Sequence, residues 1–528
     1  MGKLAVRTGA TAGVLSVLSS ISGHAEPVIV GDRQIERLKL QLEMLEEKLQ
    51  KLEKQTAVNT RAAARAKIDE GKRALKLGLS PANDTRVSVR KEVVAGEGAV
   101  AALTKNRPSI CSADGQNCVS ITSRLHFDVG GFDYHPNAVG TNPQRLENGV
   151  NARRARIGVL GRFFGDWNYA LIYDFGGSSD GFGGAVAGSL PGGATSGIEN
   201  AYLSYTGFKP FGGHMAVEGG YMDIGYTLDE ATSSNDTMFM ERSSAAAIAV
   251  NMAAGDFRSA FGARWWTDTF WMGAYVTGPT SGTLHSASAS VPAGSSEQLG
   301  ATARIAAQIL NGNGYSVHLG GDAQSLISPP KNQITGSRSL TFSDRPELRI
   351  DPTATISTGA MANVTDAQIY SVEIAGNYGP LFLQGEYFWY NVNRDMGLGL
   401  SSLKFDGGYF QAGYVLTGES RTYNSSAGAY GGIVPITPVS VALGGWGAWE
   451  VAARVSRLDL NDDLGRANGV AGGRQTVYTA GLNWYLNGNV RVMVNYLHGD
   501  IDKKESAISP KEAGARFDAI AMRTQVAF

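Results

Sequence analysis

Arginines that recur at alternate positions are the side chains best suited to chemistry in this sequence. In NARRARIGVLGRFF, residues 151–164, Arg154 and Arg156 share one parity, while the opposite parity is apolar over 155–159. The segment RLHFDV repeats this alternation, with Arg124 at its start. A guanidinium group is permanently charged and presents a planar fork to oxyanions, so these residues predict a path for anions. The alternative is that the arginines pair with carboxylates on the same faces, such as Glu386, and only fill an interior.

Catalytic and nucleic-acid-binding functions find no support in the sequence. The motifs H-E-x-x-H and G-x-x-x-x-G-K-[ST] do not occur, and the seven histidines are scattered. The formal net charge is −1, and no basic patch is interleaved with aromatic residues. We therefore expect neither an enzyme nor a nucleic-acid partner, and we expect no cofactor or metal ion.

The two cysteines lie close together in CSADGQNC, residues 111–118. If Asp114 and Gly115 form the turn of a hairpin, Cys111 faces Cys118, and an oxidising compartment would permit a disulfide. The alternative is a pair of free thiols. No other cysteine or histidine stands at ligand spacing, so a metal site is not expected.

The elements that must position the arginines have a period of two from about residue 117 onward. Alternating segments of about ten residues with aromatic ends, such as 379–390, 490–497 and 520–528, are typical of outer-membrane strands. A soluble β-sandwich also alternates. Charged side chains are costly on a lipid-facing surface, so in a barrel the arginines should point into the lumen.

Loop lengths favour the barrel over the sandwich. Short turns alternate with long polar loops, as expected where tight turns lie at the periplasmic end and long loops at the external end. The count gives an all-β transmembrane barrel of about sixteen antiparallel strands, with eighteen as the alternative. Residues 419–446 are the exception, because this long segment falls at the short-turn end.

The N-terminal part of the chain is expected to be separate from the barrel. Lys3 and Arg7 precede a short apolar core that ends in small residues, which predicts a secretory signal peptide cleaved after Ala25. Leucines spaced three and four apart predict an α-helical coiled coil, with an amphipathic helix as the alternative. The predicted division is a signal peptide at 1–25, a periplasmic coiled-coil segment at 26–56, a linker at 57–110 and a barrel at 111–528.

Several longer stretches carry a family resemblance. ARRARIGVLGRFFGDWNYALIYDF, ATSSNDTMFMERS, YFQAGYVLTGESRTY and GAWEVAARVSRLDLNDD follow one another in order within 119–528. In these stretches the chain resembles the phosphate-selective porin O/P family of bacterial outer membranes. The resemblance implies a sixteen-stranded barrel in the outer membrane, usually trimeric, with inward-folded loops that narrow the channel. The polar stretch 226–244 would then be the third external loop, folded into the barrel.

The resemblance also implies which residues form the anion pathway. Paired arginines stand at Arg153 and Arg154, and a further arginine of the pathway stands at Arg124. On the polar stretch the matching residues are Ser233, Ser234 and Arg242.

One position departs from the family pattern. The phosphate-binding lysine of the family stands just before Ala-Thr-Ser-Ser, where this sequence has Glu230 after Asp229. A carboxylate in place of an ammonium reverses the local potential, and a unit charge pair at 4 Å is worth about 4 kcal/mol at an effective dielectric constant of 20. If Glu230 points into the constriction, tight phosphate selectivity should be lost.

The expected function is a passive channel for small hydrophilic solutes, with anions such as phosphate as the preferred cargo. One alternative is a general or weakly selective diffusion porin, because of Glu230. A second alternative is a structural barrel that tethers the envelope through the coiled coil.

Overall fold

The computed structural model describes residues 107–137, 145–176, 197–253, 257–280, 298–329, 331, 335–442 and 444–528, and the backbone of 90–91 and 99–104. The expected signal peptide and coiled coil lie outside the described residues. Within the described part, no helix has both the length and the apolar character needed to cross a membrane.

Sixteen antiparallel strands form one closed sheet, in agreement with the predicted count. Neighbours in the chain pair with each other, and the last strand pairs with the first over Ala515–Ala527 and Arg124–Pro136. The strands are β1 (Cys118–Pro136), β2 (Gly149–Phe163), β3 (Trp167–Asp174), β4 (Gly197–Tyr205), β5 (His214–Met222), β6 (Arg258–Trp266), β7 (Phe270–Thr280), β8 (Leu299–Gly312), β9 (Tyr315–Ser328), β10 (Val364–Tyr378), β11 (Leu381–Arg394), β12 (Leu403–Val415), β13 (Ala448–Asp462), β14 (Val470–Tyr485), β15 (Val490–Asp502) and β16 (Ala515–Ala527).

The side chains are arranged with apolar groups outside and polar groups inside. In β16, Ile520 is 62% exposed on the outer face, whereas Arg523 on the inner face is fully buried. Successive side chains of a strand point to opposite faces, so the alternation seen in the sequence is converted directly into this division. A polar interior with an apolar exterior is the pattern of a barrel embedded in lipid.

The described part of the loop between β5 and β6, residues 223–253 and 257, forms the folded loop of this barrel. It contains the helices α1 (Leu228–Ala231) and α2 (Ser244–Met252). Each helix begins at a hydroxyl cap, because the Thr227 side chain accepts from the Glu230 N–H and the Ser243 side chain accepts from the Ala246 N–H. Almost every residue of α2 is buried.

The segment between β12 and β13, residues 416–447, accounts for the exception in the loop pattern. It lies at the short-turn end, as its place in the strand order requires, and its first half folds into the barrel. Ser426, Ala429 and Tyr430 are buried there. The segment is called the inner segment below. Its length therefore does not change the count of sixteen strands.

The remaining elements are short. The loop between β9 and β10 and the inner segment contain two-residue strand pairs, and two turns contain 3₁₀ helices. These are Ser339–Leu340 with Met361–Ala362, Ser343–Asp344 with Ile356–Ser357, Tyr423–Asn424 with Ala429–Tyr430, Pro210–Gly212 and Met396–Leu398.

A hairpin precedes the barrel. The strand Ala99–Thr104 pairs with Arg107–Ser112, which in turn pairs with the start of β1. The last residues of the predicted linker, 57–110, therefore form strands. The predicted boundary between linker and barrel falls within the strand Arg107–Ser112, because this strand extends the sheet of the barrel. Cys111 lies opposite Cys118, as the predicted turn requires, and the two are joined by a disulfide.

Candidate functional site: the lumen constriction

The folded loop is held against one side of the lumen by side chains of the barrel wall. The backbone N–H groups of Leu228 and Asp229 donate to the two oxygens of Glu386, at 2.8 and 3.0 Å. The N–H of Met240 donates to Asn495 Oδ1 at 2.9 Å, and Asn483 donates to the Met238 carbonyl at 2.9 Å. Backbone groups buried in a lumen require such partners. The loop is therefore fixed to the wall.

The opposite edge of the folded loop meets the first strand. Arg124 of β1 donates to Ser234 Oγ at 2.8 Å and to Ser233 Oγ at 3.3 Å. The next residue of β1 on the same face is His126. Its Nε2 lies 3.1 Å from Asn235 Oδ1, and its Nδ1 lies 3.4 Å from Arg154 Nη1. Arginine and serine donors are thus brought together across more than a hundred residues of chain.

A register shift in β2 brings two successive arginines to the inner face. Arg153 and Arg154 are both buried in the wall, although strict alternation would turn one of them outward. The pairing between β1 and β2 slips between His126 and Asp128, and this bulge supplies the extra residue. The family resemblance implies two successive arginines at the pathway, whereas strict alternation would direct only one of them inward. The bulge directs both side chains to the inner face.

The two arginines differ in their partners. Arg153 makes two hydrogen bonds to Glu241 of the folded loop, at 2.8 and 3.1 Å. Arg523 of β16 also contacts Glu241 at 2.7 Å. Burial raises the pKa of the Glu241 carboxyl, but the surrounding guanidinium groups, first that of Arg153, outweigh burial and hold this pKa well below its usual range. No carboxylate of the described residues lies within ion-pair distance of Arg154.

Arg242 is held by the two neighbouring carboxylates that precede Ala-Thr-Ser-Ser. Its guanidinium lies 2.9 Å from Glu230 Oε2 and 3.3 Å from Asp229 Oδ2. Burial raises the pKa of the Asp229 carboxyl, while the Arg242 and Arg454 guanidinium groups act in the opposite direction. Glu230 therefore does face the constriction region, where it engages an arginine of the expected anion site.

Ion pairs fill much of the remaining interior, as the alternative interpretation of the arginines expects. Arg156, for example, contacts both Asp174 and Glu199. Further pairs of lumen-facing arginines and carboxylates are Arg264–Glu218, Arg304–Glu373, Arg421–Glu450, Arg454–Glu347 and Arg523–Asp128. Glu386, Glu450 and Arg454, which the strand pattern assigns to the inner face, are all buried there.

A cavity of about 880 Å³ runs beside the folded loop. Most of the anticipated pathway residues line it, namely Arg124, Arg154, Arg156, Glu230, Ser233, Ser234 and Arg242. Arg153 does not line this cavity and lies behind it, paired with Glu241. The inner segment closes one side, where Arg421 donates to the carbonyls of Asp236 at 2.6 Å and Gly431 at 3.3 Å.

Several residues of the constriction are missed by the sequence patterns. Glu199 and Glu241 neutralise arginines of the pathway, and Arg421 joins the inner segment to the folded loop. The parity of β4 could have assigned Glu199 to the inner face. Glu241 and Arg421 lie in irregular backbone, where no periodic signal exists.

Comparison with known proteins adds independent findings. The family model described as phosphate-selective porin O and P matches residues 119–528. Porin O of Pseudomonas aeruginosa is 23% identical over 427 residues, which cover 76% of this chain and 87% of that protein. OmpT, an outer membrane protein of Vibrio cholerae, superposes with a TM-score of 0.43 at 13% identity, covering 78% of this chain and 98% of its own. The outer membrane channel DcaP of Acinetobacter baumannii also gives 0.43, at 11% identity, covering 79% and 99%.

The family match begins at the second residue of β1 and spans the whole barrel. It agrees with the closed sheet, the apolar exterior and the inward-folded loop. The chain therefore belongs to the phosphate-selective porin O and P family and is a porin of the outer membrane.

Proposed function

We propose that this porin is a passive channel for small hydrophilic solutes, with a weak preference for anions and little selectivity for phosphate. The observation that carries the proposal is the contrast between two arginines at the cavity. No carboxylate of the described residues lies within ion-pair distance of Arg154, whereas Arg242 contacts two carboxylates. The first arrangement attracts anions, and the second cancels one of their binding groups.

The balance of charge along the cavity supports a weak preference. Seven arginines and five acidic side chains line it, which leaves a small excess of positive charge. Fixed charges of both signs in a water-filled passage act over about 8 Å at physiological ionic strength, so the excess biases ions without trapping them. A general diffusion porin, the second candidate, is favoured by the same dense pairing.

Reversal potentials of the reconstituted channel in a KCl gradient, with and without phosphate, test the proposal. The parent should show a small anion preference and weak block by phosphate. Glu230→Lys should raise both, because it restores the family's cation beside Arg242. Glu505→Lys, the same charge change in an exposed external loop, is the matched control and should leave both unchanged. Cation selectivity of the parent, with no response to Glu230→Lys, would contradict the proposal.

We also propose that the barrel assembles as a homotrimer, as the family resemblance implies. Residues 35–52 of the predicted coiled coil, which carry its leucine repeat, would contribute to assembly or tether the envelope. Deletion of 35–52 separates these roles from permeation. Unchanged conductance with weakened trimers on native electrophoresis would support assembly. Intact trimers with a weakened envelope would support tethering, and lost conductance would contradict both.

A further inference from the structure

We propose that the end of the inner segment, residues 437–442 and 444–447, inserts into the periplasmic leaflet of the outer membrane beside the barrel. This stretch is called the rim hairpin below. The inference rests on the location of the porin in the outer membrane and is independent of the solute that the channel carries.

The rim hairpin is a built structure at the short-turn end. Ser440 and Gly445 exchange backbone hydrogen bonds of 3.1 and 3.0 Å, and the Gly447 N–H donates to the Thr437 carbonyl at 3.1 Å. The Val439 N–H donates to the Leu486 carbonyl at 2.7 Å, which attaches the hairpin to the turn between β14 and β15. The hairpin thus has a fixed place on the rim.

A contact with β14 directs the hairpin toward the outer surface. The indole N–H of Trp484 donates to the Trp446 carbonyl at 2.8 Å. The residues on either side of Trp484, Asn483 and Tyr485, are buried in the lumen, so Trp484 itself faces outward. Trp484 also stacks on Trp449 with ring centroids 5.1 Å apart. The backbone of Trp446 is therefore attached to a stacked pair of tryptophans on the outer side of the rim.

The chemistry of the hairpin matches the edge of a bilayer. No charged residue occurs between Arg421 and Glu450. Val441 is fully exposed, and Trp446 is 75% exposed. Tryptophan is enriched at membrane–water interfaces because its ring is apolar and its N–H is polar.

The exposed apolar surface continues into the lipid-facing wall. Tyr414, Val451 and Leu482 lie opposite one another on β12, β13 and β14, and all three are exposed on the outer face. This row begins two residues along the strands from Trp449 and Trp484. A second copy of the chain would also cover apolar side chains, but continuity with the lipid-facing wall favours lipid.

Site-directed fluorescence tests the proposal on the full-length porin in phosphatidylcholine vesicles. The two native cysteines form a disulfide, so an introduced cysteine is the only free thiol. Val441→Cys is labelled with an environment-sensitive fluorophore, and a lipid carrying a shallow nitroxide serves as the quencher. Asn313→Cys, in the exposed turn between β8 and β9 at the same end, is the matched control for a position in water.

The label at Val441 should be quenched at least about twofold more strongly than the label at Asn313, with a blue-shifted emission, because an interfacial residue lies near the nitroxide. Equal quenching at both positions would overturn the proposal. Oxidative cross-linking of Val441→Cys between two copies, without quenching by lipid, would overturn it in favour of a protein interface. A temperature-dependent shift on electrophoresis confirms that each labelled variant is folded.

Discussion

At the scale of single residues, the chemistry of the constriction is decided by which carboxylate each arginine meets. Arg153 contacts Glu241, Arg242 contacts both Asp229 and Glu230, and no carboxylate of the described residues lies within ion-pair distance of Arg154. Of these residues the family resemblance supplied the arginines and drew attention to Glu230. The resemblance did not identify Glu241, because a partner on an irregular loop can be identified only from the three-dimensional structure.

The pairing of Arg242 predicts a pH-dependent ion preference. Burial raises the pKa of Asp229, so its carboxyl takes up a proton above the ordinary value of 3.8 as the pH falls. Protonation removes one of the carboxylate charges beside Arg242 and makes the site less negative. The chloride-to-potassium permeability ratio should therefore rise on acidification from about pH 8 to about pH 4. Asp229→Asn should flatten the profile, and an unaltered profile in this variant would contradict the assignment.

Protonation of Asp229 also changes the free energy of unfolding. A folded-state pKa above the ordinary value means that the native protein binds the proton more tightly than the unfolded chain. The Asp229 contribution to the free energy of unfolding is fully present below the ordinary pKa and is lost as the pH rises through the folded-state pKa. Melting temperatures of the parent and Asp229→Asn should converge at acidic pH.

Glu241 differs from Asp229, because the neighbouring guanidinium groups stabilise its charged form. Glu241→Gln would leave Arg153 and Arg523 with a neutral group in a buried wall, and loss of one partner of a buried pair costs about 3–5 kcal/mol. Arg523 keeps Asp128, so the lower end is expected. Thermal unfolding followed by circular dichroism measures this loss. Glu505→Gln, in the exposed external loop, should change little, and equal stability of the two variants would refute the role of Glu241.

At the scale of elements, the folded loop is predicted to depend on one carboxylate of β11. Glu386→Ala would remove the acceptors of the Leu228 and Asp229 N–H groups, and each buried N–H left without a partner costs about 1–3 kcal/mol. Single-channel recordings should show a noisier current with additional conductance levels. Asp518→Asn, at the external rim of β16, is the control. A quiet current in Glu386→Ala would show that other contacts suffice to hold the loop.

The strands and loops also show how much of the structure can be predicted from the sequence. Strand number and the inward faces of Glu386, Glu450 and Arg454 follow from a period of two, because that period is imposed by backbone geometry. The bulge that turns both Arg153 and Arg154 inward does not follow, since a one-residue slip leaves no compositional mark. The inward path of the first half of the inner segment also cannot be predicted from the sequence, because it depends on contacts with β6, β7 and β8, which are distant in the chain.

At the scale of the whole molecule, the outer face of the barrel is apolar. A charge introduced there should therefore destabilise the porin more than a charge introduced in an external loop. Ile520→Arg places a guanidinium on the lipid-facing wall and should destabilise the reconstituted porin by about 2–4 kcal/mol if the residue lies near the bilayer midplane. Ile508 is exposed to a similar extent, 64% against 62%, but lies in the external loop. Ile508→Arg should therefore be neutral in urea titrations in vesicles. Equal effects of the two changes would contradict the placement of β16 in lipid.

The seam between β1 and β16 has a consequence for the time course of folding. The pairing that closes the sheet joins Arg124 to Ala527, and a further bond joins the Phe528 N–H to the Ser123 carbonyl. These partners are separated by nearly the whole barrel sequence, and contacts so distant along a chain form slowly. Until they form, both terminal strands expose unpaired edges that other chains can extend. Closure of this one seam is thus expected to be the step at which productive insertion competes with aggregation.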